Sequence, residues 1–322
     1  MTRIPLSIDD QISPYIGPAN GGTGSDPVAW IAIIFAAFFV IVTAWHCILL
    51  VRRQAYFTWL MVASSLAQCL SLVEFAYSTI YPLSTPFLVI GTLTHWLSPT
   101  LLTISVILVF GRASWAGALS NPSHVQPLWG FLRWNTVIIT TTSLFNFSLL
   151  CIGCIIVVAS APDAKIDGSN NPAITAGYGL LKTALVLQLL LLTAFALFVW
   201  RFRNYTLQWD VEWNQRRKFN WTWKKLLVIV LVSLGLLLIS QLFHLIIFFM
   251  DWTDMPWLGL LFDSGPVFIV TLLFLVYHPG RCLPKTLTKL RLDKERLRLA
   301  TIVEKELQSK NRSDQSLASG ST

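Results

Sequence analysis

Charge is what this sequence lacks. Asp, Glu, Lys and Arg together make up 12% of its 322 residues, against roughly 25% in an average soluble domain. So little charge cannot cover the surface of a soluble enzyme, and the 54% hydrophobic content is too high for a disordered chain. Cysteine is missing where a secreted fold would need it. Of five cysteines, Cys47, Cys69, Cys151 and Cys154 lie inside apolar runs and Cys282 just after one, so no loop pair is left for an extracellular disulfide. Cys151-Ile-Gly-Cys154 has redox or zinc spacing, but it sits mid-run without flanking His and reads as small-residue helix packing. No Gly-x-x-x-x-Gly-Lys-Ser/Thr phosphate loop occurs, which sets a nucleotide-driven pump aside.

What the sequence has is apolar runs of roughly 20 to 25 residues separated by polar stretches, the pattern of a polytopic helical membrane protein. Seven spans are expected, at 28–51, 56–80, 87–110, 134–159, 177–200, 226–250 and 257–278. The expected fold is therefore all-α, a seven-transmembrane helix bundle over residues 28–280. Residues 1–27 form a polar lead-in with no apolar signal-peptide core, and 281–322 form a basic tail.

Charge sign orients the bundle. All of the 24 Lys and Arg except Arg3, Lys165 and Lys182 fall on one side, ten of them after His278. The positive-inside rule then places the N-terminus outside and the C-terminus in the cytoplasm. The net charge of +8 thus reports orientation and not nucleic-acid binding. The 201–225 loop and its edge, with Trp200, Trp209, Trp213, Trp221 and Trp223, read as an interfacial belt against anionic head groups. Leu287, Leu290, Leu297 and Val303 among tail Lys and Arg suit a basic amphipathic helix, with Cys282 a palmitoylation candidate. The sequons at Asn204, Asn220 and Asn311 fall on the cytoplasmic side and that at Asn146 inside a span, so none is expected to carry glycan.

Ionisable side chains in the bilayer core cost about 2.5–3.5 kcal/mol each on insertion scales, so each needs a reason. Glu74, His95, Lys182, His244 and Asp263 all fall within about 6–12 Å of the outer boundary at 1.5 Å per residue. Ser64, Gln68, Ser71, Glu74 and Ser78 recur at spacings of three and four, a polar stripe down span 2, and Ser233, Ser240, Gln241 and His244 make one on span 6. Lipid cannot satisfy such stripes, so they face the bundle interior. Pro99 and Pro266 are expected to interrupt spans 3 and 7 beside them. A polar pocket of Glu74, His95, His244 and Asp263 follows, with Gln68 and Gln188 as further contacts, suited to an amphiphile's polar head or a proton relay. The competing reading is a buried network that only fixes helix packing. Lys182, near a helix end, is expected to snorkel, and His46 to be structural. Two carboxylates and two histidines could bind zinc, but from four spans with no His-x-x-x-His pair. No enzyme activity, metal or other cofactor is therefore expected.

One ordered set of elements resembles a known family. Tyr15-Ile-Gly-Pro18, Glu74-x-x-Tyr77, Ser98-Pro99 leading to Gly111-Arg112, Leu185-x-x-Gln188 with Phe195, Asp263, and His278-Pro279-Gly280-Arg281 together look like the fungal RTA-like family of lipid-translocating exporters, over roughly residues 15–285. Ala76 stands where that family usually has Gly. The Asp and Gln usual in span 4 are replaced within Thr140–Gly153, and span 6 carries Ser240, Gln241 and His244 where an Arg-rich pattern is usual, marking a divergent member. The resemblance implies a plasma-membrane protein that moves sphingoid-base-like or sterol-like amphiphiles and contributes to resistance to toxic amphiphiles. Its partners would be membrane lipids and an amphipathic substrate, with no nucleic acid.

A lipid-sensing or stress receptor signalling through cytoplasmic loops is the alternative. A rhodopsin-like receptor is disfavoured, because span 3 ends Val109-Phe110-Gly111-Arg112, span 7 has no Asn-Pro-x-x-Tyr, and the second outer loop has no cysteine.

Overall fold

A computed structural model of the chain describes residues 27–53, 55–78, 85–120, 129–167, 172–206, 223–250 and 256–283. Each of these segments is helical, and no strand occurs among the described residues. The helices are α1 (Pro27–Arg53), α2 (Trp59–Ser78, entered through a 3-10 turn at Tyr56–Thr58), α3 (Thr85–Ser120), α4 (Trp129–Asp167), α5 (Pro172–Thr206), α6 (Trp223–Met250) and α7. The last is composite, with α-helical ends at Pro256–Gly259 and Gly265–Val276 flanking a π-helical stretch at Leu260–Ser264. A short turn, Pro279–Cys282, follows, capped by His278, whose Nδ1 accepts from the Gly280 N–H at 3.1 Å.

All seven helices are long and apolar enough to cross a membrane. Three run well past the expected spans: α3 has 36 residues, α4 39 and α5 35, where about 20 suffice to cross the hydrocarbon. The expected boundaries follow the end of apolarity, whereas the helices continue into polar residues beyond it, α4 through Pro162 and α3 through Gly111 and Gly117. The N-terminal segment, the tail helix, most of the Trp-rich 201–225 segment and the sequons at Asn220 and Asn311 lie outside the described residues, as does the Cys282 side chain.

Consecutive helices pack side by side, α7 returns to α1, and α3 runs through the middle, touching α2, α4, α6 and α7. The pattern of burial is that of a bilayer as solvent. Ile34, Ile41 and Val51 on α1, Leu66 and Val73 on α2 and Leu190 and Leu197 on α5 point outward. Ser64, Gln68, Ser98, Thr103, Asn146, Ser240, His244 and Asp263 point in. Apolar packing fills the core elsewhere. Phe110 of α3 meets Phe195, Phe198 and Phe202 of α5 at ring separations of 5.4–5.6 Å, and the Arg112 guanidinium lies 4.0 Å over the Phe57 ring. His46 is buried and bonds the Thr271 carbonyl at 3.0 Å, tying α1 to α7.

The two intramembrane prolines act differently. α3 passes through Pro99 without a break, contrary to the expected interruption. Hydroxyls gather on the carbonyls around it: Thr100 donates to Trp96 O at 3.0 Å, Thr103 to Pro99 O at 2.8 Å, and Ser64 of α2 to Ser98 O at 2.8 Å. Such side chains stabilise proline-containing helices in an apolar medium. At Pro266 the missing N–H and the ring's clash with the carbonyl of residue 262 coincide with the π-helical turn. Asp263 sits in that turn.

Candidate functional site

The polar stripe of α2 organises one side of the site. From the bundle centre toward the α2 C-terminus, Ser64 bonds Ser98 of α3, Gln68 Nε2 donates to Ser264 Oγ of α7 at 2.9 Å, and Ser71 Oγ shares a 3.2 Å hydrogen bond with His95 Nδ1. Glu74 comes one turn further along and packs on Gly91, four residues before His95 on the same face of α3. A Cβ at Gly91 would fall on the Glu74 carboxyl group. A larger residue there would make the Glu74 carboxyl swing out of this position.

His95 leads into the centre. Its Nε2 lies 3.5 Å from Asp263 Oδ2, while His244 Nε2 lies 2.7 Å from Asp263 Oδ1 and Ser240 donates to the same oxygen at 3.1 Å. Helices α3, α6 and α7 thus each supply one ionisable group to one point. The Asp263 and His244 side chains are 1% and 0% exposed and His95 13%. The His95 and His244 rings stand edge to face at 5.3 Å, and Trp96 closes the wall at 4.8 Å from His244 and 5.6 Å from His95.

A carboxylate in this position is stabilised by two imidazoles and a hydroxyl, and the short His244–Asp263 contact is in the charge-assisted range. The widened turn at Leu260–Ser264 changes the angular register of α7 by part of a turn, which sets where Asp263 and Ser264 point. Both are buried, Asp263 toward α6 and Ser264 toward α2.

Of the residues singled out from the sequence, His95, His244 and Asp263 meet directly, and Gln68 bonds Ser264, the residue next to Asp263 on α7. Glu74 stands one turn away from the His95–Ser71 pair, against Gly91 and not against Asp263. Gln188 lies elsewhere: its Oε1 accepts from Asn146 Nδ2 at 2.9 Å, a buried bond between α4 and α5. Lys182 lies half-buried on α5. Trp96, Gly91, Ser264 and Asn146 were not read as site or partner residues. The signal for Gly91 was its spacing of four from His95. For Asn146 it was a buried amide in a span, which needs a partner. Cys151 and Cys154 are free thiols, and Gly153 between them packs its backbone against Gly177 of α5.

Comparison with known proteins yields a match to the family model described as RTA1 like protein, over residues 75–286, two thirds of the chain and including His95, His244 and Asp263. No curated protein and no solved structure matches.

Proposed function

Because the chain belongs to the RTA1-like protein family, whose members are linked to lipid and drug resistance, we propose that this integral membrane protein translocates or exports amphipathic lipids of sphingoid-base or sterol type. It would thereby confer resistance to toxic amphiphiles at the plasma membrane. The observation that carries this reading is a pair of carboxylates, Glu74 and Asp263, held inside an apolar seven-helix bundle. Among the described residues, Glu74 Oε1 makes no hydrogen bond. A buried carboxylate oxygen lacking a donor is a costly feature unless a ligand supplies one. A protonated amine supplies both donor and charge, while its alkyl chain stays among the apolar helix faces.

With the N-terminus outside, as the Lys and Arg distribution implies, Glu74 lies in the outer-leaflet half and receives the head group there. The reading is transport without covalent chemistry. The His95–Asp263–His244 cluster is then the next polar station inward and the candidate proton carrier if movement is coupled to a gradient.

The test is uptake and release of a fluorescent sphingoid base in cells expressing the wild type, Glu74→Gln or no protein. Wild type is expected to change transbilayer movement. Glu74→Gln, at equal surface level, is expected to lose about tenfold or more of that effect, the worth of one hydrogen bond to a charged group. Gly91→Val, which places atoms where the Glu74 carboxyl lies, is expected to give the same loss. Movement unaffected by wild-type protein would remove the translocator reading. A ligand-dependent change in cytoplasmic partner binding in the same cells would then establish the receptor reading.

A further inference from the structure

We propose that His95, His244 and Asp263 form a divalent transition-metal site in the bundle core, with Zn2+ as the probe ion. An occupied site holds no transferable proton, so this assignment replaces the proton-carrier role of the cluster and leaves the head-group role of Glu74 as it stands. One ligand atom from each side chain lies within 4.8 Å of the other two. Two imidazole nitrogens and a carboxylate oxygen are a borderline donor set suited to first-row divalent ions. Three protein ligands also leave a coordination position for water or a head-group oxygen.

The geometry separates a metal site from a hydrogen-bonded triad. The His95 Nε2–Asp263 Oδ2 distance of 3.5 Å is too long for a hydrogen bond between a nitrogen donor and a carboxylate. It is close to the separation of about 3.3 Å between two tetrahedral ligands each about 2.05 Å from one zinc ion. Asp263 Oδ2 is buried and makes no hydrogen bond among the described residues. It stands opposite the His95 imidazole at the separation that two ligands of one ion would have, with the ion lying to one side of the line joining them.

The His244–Asp263 pair at 2.7 Å is closer than two ligands of one ion. Metal entry displaces the proton held between them and parts the two atoms by about half an ångström. Outer partners of the kind metal ligands need are in place. Ser71 holds His95 through Nδ1, leaving Nε2 toward the centre, and Ser240 holds Asp263 through Oδ1. Trp96 supplies the apolar wall.

The experiment is metal analysis of full-length protein purified in detergent without a His tag, as isolated and after Zn2+ loading and gel filtration. Wild type is expected to hold about one zinc or iron ion per chain. His95→Ala and His244→Ala are each expected to lose at least about tenfold in occupancy, and Ser71→Ala about tenfold in affinity. The Cys151→Ser/Cys154→Ser variant, which removes the thiol pair with metal spacing, is expected to retain the ion. Co2+ loading of wild type is expected to give the visible absorption of a tetrahedral site, a readout that stands even where a histidine variant does not fold. Monodisperse wild type with neither bound metal nor cobalt bands overturns the proposal. So does metal retained in folded His95→Ala and His244→Ala, or lost from the cysteine variant.

Discussion

His244→Leu is expected to destabilise the protein by about 3–5 kcal/mol, and His244→Leu/Asp263→Leu to recover most of that loss. The reason is asymmetric. Removing the histidine takes away the 2.7 Å partner of Asp263 and leaves a carboxylate that is 1% exposed with only the Ser240 hydroxyl and a histidine nitrogen at 3.5 Å. An uncompensated buried charge carries that penalty, whereas replacing the whole pair by apolar side chains of similar volume is often neutral. Thermal unfolding in detergent measures both variants, and the difference between the double variant and the sum of the singles is the coupling. The same proteins separate structure from function. A double variant that is stable but has lost amphiphile resistance makes the cluster functional machinery. One that is stable and fully resistant reduces it to a packing device, and transport must then depend on Glu74 alone. If the single variant costs less than about 1 kcal/mol, Asp263 is not charged in the folded protein.

The seven helices were legible because the bilayer dictates their sequence: about 20 apolar residues are needed for each crossing, and each of the seven runs corresponds to one helix. Depth was legible for the same reason, since a fixed rise per residue puts His95, His244 and Asp263 at one level. Rotation was not. Gln188 and Gln68 were both expected as contacts of one pocket, yet Gln188 faces α4 and pairs with Asn146, while Gln68 faces α7 and bonds Ser264. Nothing local to either residue distinguishes the two. Glu74 was placed in one pocket with Asp263 because the stripe on α2 was visible, but the stripe fixes only a face, and along that face Glu74 lies a turn beyond Ser71. A metal site assembled from α3, α6 and α7 escapes the motif reading altogether, because one ligand per helix leaves no spacing to recognise. The prolines show the limit from another side: the residue type is the same, but hydroxyls around Pro99 and a π-helical turn before Pro266 give two outcomes.

The α4–α5 contact offers a prediction with a control built into the same helix. Gly177 and Gly179 are two residues apart on α5, so helical geometry turns them about 200° away from each other. A Cβ at Gly177 would meet Val157 Cγ2 at 2.7 Å and the Gly153 carbonyl oxygen at 3.1 Å, and a Cβ at Gly153 would meet the Gly177 carbonyl at 3.1 Å. Two backbones touch there, and neither can retreat by a side-chain rotation. Gly179 has nothing within 4 Å of the corresponding position. Gly177→Leu is therefore expected to force the helices apart and cost about 1–3 kcal/mol or more, the usual range for overpacking. Gly179→Leu, adding an apolar side chain on an exposed face, is expected to be neutral or stabilising. The two effects on thermal unfolding in detergent should thus have opposite sign or differ by at least about 1 kcal/mol. In membranes, close approach of small residues is what lets dispersion replace the missing hydrophobic drive between helices. Leu181, which packs on Gly153 at this crossing, belongs to the same buried cluster as Trp96, the ring that stands against His95. Displacing α5 here is therefore expected to lower amphiphile resistance as well as stability, and Gly177→Ala, which adds one methyl, to fall between the two leucine variants. Equal unfolding temperatures for Gly177→Leu and Gly179→Leu would show that α4 and α5 do not meet at this crossing.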